Sequence, residues 1–199
     1  MQSFYVVAIT GVEANTTDLF SFTNTIVTPV LGLDIGFKLN DRWSLQTGFH
    51  TSAKKYIGGA KDYTPKAGSY LSTVKIIKVD ANCRVYEIPL SVQYYWRQKK
   101  SLRFFSTAGI SGYIMKSEDY DFDIETNNGF TSRALKFTGN KHLFASMHIS
   151  TGIEKQFSKK FYLQASPIVN IPLDGIGQGG VKLYTKSVLL GFKYFPFRK

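Results

Sequence analysis

Residues 30–50, VLGLDIGFKLNDRWSLQTGFH, alternate apolar and polar side chains, break at Asn40-Asp41-Arg42 and alternate again. Leu31, Leu33, Ile35, Phe37 and Leu39 share one side of an extended chain, opposite Gly32, Asp34, Gly36 and Lys38. After the break Trp43, Leu45, Thr47 and Phe49 oppose Ser44, Gln46, Gly48 and His50, so the stretch predicts an antiparallel hairpin. The pattern recurs at Arg84–Trp96, Leu102–Met115, His142–Phe157, Phe161–Ile171 and Leu183–Phe195. With a less clearly patterned segment at Phe4–Val12 this predicts eight strands, and Asn15–Thr25 reads as loop because it has no sustained apolar stripe.

Three connections are short: around Asn40-Asp41, Arg97 to Ser101, and Ser158 to Lys160. The other four are long, about Glu13–Pro29, Lys54–Asn82, Lys116–Lys141 and Pro172–Val181. Short and long alternate strictly, so turns collect at one end and loops at the other. That asymmetry predicts an all-β, eight-stranded antiparallel up-and-down transmembrane barrel of the outer-membrane type, as one domain over residues 1–199.

Alternation alone does not say which face meets water. Two features favour lipid on the apolar side. Beside the short turns that side carries Trp43, Trp96, Phe104, Phe157, Phe161 and Tyr194, an aromatic girdle of the kind a membrane interface selects. The polar side is mostly Gly, Ser, Thr and Gln, whereas a solvated surface is about 25–35% charged. A soluble lipocalin-like barrel binding a small apolar ligand is the alternative and requires the opposite arrangement.

Composition adds limits. The 16 Phe, 12 Tyr and 17 Gly suit strands, and no run reaches the roughly 18–20 apolar residues of a membrane helix. Met1–Ile9 is a poor secretory signal; an exported chain would have lost its leader, with Met1 an added residue. Cys83 stands alone, which excludes an internal disulfide. The net charge of +11 is spread over turns and loops, which disfavours nucleic acid and suits anionic lipid and lipopolysaccharide.

The strand-four motif Tyr86-Glu87-Ile88-Pro89-Leu90, the loop Pro172-Leu173-Asp174-Gly175-Ile176-Gly177 and the closing Gly191-Phe192-Lys193-Tyr194-Phe195 resemble the small PorT-like outer-membrane barrels of Bacteroidota. The resemblance runs roughly from Phe4 to Phe197. It implies an outer-membrane barrel without a common catalytic motif, acting as an accessory or structural component. Pro196-Phe197-Arg198-Lys199 departs from the usual aromatic ending.

Candidate chemistry is sparse. Asp34, Lys38, Glu87, Arg103, Glu154 and Lys193 face the lumen as an expected mutually paired network. His148, Ser150 and Glu154 share a face of strand six, but same-face neighbours lie about 7 Å apart, too far for a relay. A lipid-modifying enzyme is therefore the second alternative, and the reading is non-enzymatic with no cofactor. His50 reads as a hydrogen-bonded interior residue. Asp119, Asp121, Asp123 and Glu125 would form a row of oxygen donors for a cation if strand five continued, with Tyr120, Phe122 and Ile124 exposed opposite. GIGQGG at 175–180 reads as a flexible hairpin loop, Pro167 as a bulge and Cys83 as a thiol without a role. The loops 54–82 and 116–141, or the barrel wall, are the expected contacts with a protein partner.

Overall fold

The computed structural model describes residues 3–20, 25–65, 67–126 and 129–197. It contains nine strands: β1 (Ser3–Thr16), β2 (Val27–Lys38), β3 (Trp43–Gly59), β4 (Lys75–Lys99), β5 (Leu102–Thr126), β6 (Gly129–Phe137), β7 (Lys141–Gln156), β8 (Phe161–Pro172) and β9 (Tyr184–Tyr194). Eight of them close a ring in the order β1-β2-β3-β4-β5-β7-β8-β9, with β9 pairing back onto β1, all antiparallel. Closure removes the free edges that an open sheet would leave.

The ninth strand, β6, lies in the segment read from sequence as loop. It pairs with Glu118–Thr126, the part of β5 that rises above the ring, while the lower part of β5 pairs with β7. All of the β6 residues except Leu135 and Phe137 are exposed, and the segment has no apolar alternation to betray it. β1 likewise runs through Asn15 and Thr16, which were expected in a loop.

Side chains divide as the pleat requires. Leu31, Leu33 and Ile35 on β2 are 57%, 55% and 46% exposed, while Asp34 between them is 3% exposed. Outward positions through the middle of all eight staves carry no Asp, Glu, Lys or Arg. The inner wall is mixed. Tyr5, Val7, Ile9, Val30, Tyr162, Leu189 and Phe195 form an apolar cluster that fills the lumen beside β1, which explains why β1 lacks clean alternation.

Above the ring the apolar face inverts. Val79, Ala81, Cys83 and Val85 of β4 and Tyr120, Phe122 and Ile124 of β5 turn inward, joined by Tyr56, Tyr63, Leu71, Ile176, Val181 and Leu183 in a second core that caps the barrel. On β5 a bulge makes the switch: Val85 pairs with Met115 and Arg84 with Ser117, so Lys116 is the extra residue and the inward positions change from odd to even. Tyr120, Phe122 and Ile124 are thus buried, not exposed as the sequence suggested. Pro167 makes no bulge either. Ser150 with Ile168 and Ile153 with Ala165 keep one register across it, and only the ladder contacts at the missing N–H are interrupted.

Candidate functional site in the barrel lumen

The lumen is built in tiers. At the turn end Glu154 accepts hydrogen bonds from Arg103 Nη2, from Lys193 Nζ at 2.6 Å and from the Tyr95 hydroxyl at 3.0 Å. One carboxylate between two cations leaves positive charge unmatched, and aromatic faces receive it. The Arg103 guanidinium lies 4.5 Å from the Tyr95 ring and 4.7 Å from that of Tyr162, and Lys193 Nζ lies 4.4 Å from that of Tyr5. Lys193 also donates to the Tyr95 hydroxyl and to Gln93 Oε1.

The middle tier holds separate pairs. Asp34 Oδ1 meets His50 Nε2 at 2.7 Å and Asp34 Oδ2 accepts from Gln46 Nε2 at 2.6 Å. Gly48 permits this, because a Cβ there would overlap Asp34 Oδ1 and the Leu33 carbonyl. Across the lumen His148 lies between Ser91 Oγ at 2.8 Å and Ser111 Oγ at 3.2 Å. Glu87 meets Asn170 Nδ2 at 3.4 Å. Asp34, Gln46, His50, Glu87, Ser91, His148 and Asn170 line a cavity of about 80 Å³, room for a few waters.

The upper tier escaped the sequence reading. Lys54, 1% exposed, donates to Glu13 Oε2 at 2.7 Å, and Asn15 and Thr185 extend the chain of bonds. Local pattern alone places both charged residues in loops. The usable signal was the inward parity that β1 and β3 carry past Val12 and Thr51.

Lys38, expected in the lumen, ends β2 at the rim and instead pairs with Asp41 of the turn at 2.9 Å. That cation holds the Asp41 carboxyl below the ordinary carboxylate range. Arg103, Glu154 and Lys193 meet in one cluster, while Asp34 and Glu87 bond elsewhere. Ser91 and Ser111, rather than Ser150, are the serines at His148, and Glu154 is occupied by its two cations.

The cap closes the upper mouth. Glu118, fully buried, accepts from the Tyr120 hydroxyl at 2.7 Å, the Gln178 backbone N–H at 2.8 Å and the Asn140 amide. The Gly177 N–H donates to His142 Nε2 at 3.0 Å, and Ile176 bridges to Val181. The 175–180 segment is therefore an ordered part of the cap rather than a flexible loop. Burial pushes the Cys83 thiol and the Tyr63 hydroxyl each up to about 12, and raises Tyr56 and Tyr120 as well.

The acidic row does not converge. Asp119 pairs with Lys136 at 3.1 Å, Glu125 with Lys75 at 2.8 Å, and Asp123 accepts from Ser132 at 2.7 Å, along the outer face of β5. The Glu125 carboxylate also raises the Lys75 ammonium above its ordinary value. Among the described residues no three His, Cys, Asp or Glu side chains gather as a metal site.

At the turn end Trp43 packs on Tyr94 (ring centroids 4.6 Å apart), Trp96 on Phe104 (5.4 Å) and Phe161 on Tyr194 (5.0 Å) along the outer wall. Phe157 stands beside them, 61% exposed. Polar and charged groups face a filled interior and bare apolar groups face out.

The Neisserial surface protein A structure superposes on 98% of this chain and 98% of its own, with TM-score 0.55 and 13% identity. The chain has the fold of an outer-membrane β-barrel. OprG from Pseudomonas aeruginosa (14% identity, 99% and 97% covered, TM-score 0.45) and Ail of Yersinia pestis (11%, 97% and 98%, 0.44) are more distant in shape. No protein-family model and no curated protein sequence matches the chain.

Proposed function

We propose that this protein is an integral outer-membrane barrel with a sealed lumen, serving as a non-enzymatic structural or accessory component that offers its loop end to a protein partner. The observation that carries this is the inverted surface: an uncharged apolar wall outside and paired charges within. Such a wall is stable against hydrocarbon and unstable in water. The stretch Tyr86–Trp96 has the length a tilted strand needs to cross, about 9–11 residues.

A sealed lumen follows from the two plugs. The Glu154 cluster with Tyr5 and Phe195 closes the turn end, and the cap closes the other. The Ser91–His148 pair lies between them, and the two carboxylates of the middle tier are bonded elsewhere, Asp34 to His50 and Glu87 to Asn170. This favours the non-enzymatic reading over a lipid-modifying enzyme. Exposed Leu143 and Phe144, where β7 bulges outward with Phe144 at φ 53°, and Phe130 on β6 supply apolar anchors for a partner. The likeness to PorT-like barrels fits such an accessory role.

Planar-bilayer recording tests the sealed lumen. The reconstituted protein should insert without steady conductance at neutral pH. A reproducible open-channel current would contradict it.

A further inference from the structure

The outer wall carries a notch where it meets the cap. On β3 the small side chains of Thr51 and Ala53 leave a depression between Leu31 of β2 and Tyr86 of β4, part of a groove of about 280 Å³. Its apolar flank continues the uncharged wall below. Its upper edge is formed by Arg84 and Lys116, both exposed. Lys116 stands there because it is the extra residue of the β5 bulge, and its Nζ lies 5.5 Å from the centre of the Tyr86 ring.

Neither cation makes an ion pair with a described residue. The next outward acid along β5, Asp119, is engaged by Lys136. Two uncompensated cations therefore border an apolar notch at the height where the wall changes from apolar to polar. In a bilayer that height is occupied by lipid phosphates, with acyl chains directly beneath. A guanidinium offers paired donors to phosphate oxygens, and a nearby ammonium adds a point charge.

We infer that Arg84 and Lys116 clamp the phosphate of a phosphorylated membrane lipid while one of its acyl chains lies in the notch between Leu31, Ala53 and Tyr86. The inference rests on the membrane-barrel reading above. It adds a defined lipid site to a wall that would otherwise contact lipid uniformly.

Native mass spectrometry of the full chain in neutral detergent provides the test. The probes are a bis-phosphorylated lipid A, the same lipid after dephosphorylation, and inorganic phosphate. Phosphorylated lipid should bind about tenfold or more tightly than its dephosphorylated form. R84Q/K116Q should remove that preference, and Ala53→Trp, which fills the notch without changing charge, should weaken the phosphorylated lipid. K159Q/K160Q at the turn end should bind as the parent does. Equal binding of the two lipids, an unchanged preference in R84Q/K116Q, or displacement of the lipid by inorganic phosphate at similar concentration would overturn the inference. Should a variant fail to fold, the comparison of lipids on the parent protein still decides. A parent protein that stays soluble without detergent fails the membrane reading itself, before any lipid is added.

Discussion

Glu154 holds Arg103 and Lys193 at the closed end of the lumen, and its loss would strand two cations away from water. Glu154→Gln keeps the shape and removes the charge, so it should cost about 3–5 kcal/mol, the scale of breaking a buried ion pair from one side. Urea unfolding in detergent micelles reads this directly; a cost under 1 kcal/mol would mean the cluster is hydrated. Alternation made Glu154, Arg103 and Lys193 legible as inward residues, because each stands in a strand whose neighbours are apolar and outward. Their convergence was not legible, since it depends on which staves adjoin and with what stagger. Lys54 and Glu13 were missed for a different reason. Strand ends are set by pairing with a neighbour: Lys54, which local pattern reads as loop, stays in β3 because it pairs with Cys83 of β4.

Among the elements, the alternation of short and long connections matches the observed order of the eight staves, whereas the cap does not follow from it. The alternation in EDYDFDIE is plain, but its direction depends on what lies outside. Below the Lys116 bulge the outer neighbour is apolar and Ile110 and Ile114 face out; above it the acids face out and Tyr120, Phe122 and Ile124 pack inward. One sequence period thus serves two solvents, and the bulge changes the phase between them. Cys83 reports on this core. Its thiol is pushed up to about 12 by burial, so at neutral pH the folded protein should hold far less thiolate than the unfolded chain. Reaction of Cys83 with a disulfide reagent at pH 8 should accordingly be slow in the folded protein. Phe122→Ala should accelerate it by opening the cap, at a cost of about 3–5 kcal/mol to the cap core, while the ring beneath stays closed. Equal labelling of parent and variant would mean that Phe122 does not hold the cap over Cys83.

For the whole molecule, the ring supplies a wall and the cap a lid, with the polar interior between them. Paired charges inside and an uncharged wall outside are consistent only if the exterior solvent is apolar through the middle of the barrel. A lipocalin-like calyx has the reverse distribution, so Leu33, Ile35 and Leu45 facing outward argue against it. Electrophoretic mobility in detergent, with and without boiling, together with solubility after detergent removal, tests this orientation most directly. An apolar exterior gives a folded band that shifts on heating and a protein that precipitates once detergent is withdrawn. A chain that remains a soluble monomer in plain buffer would contradict it.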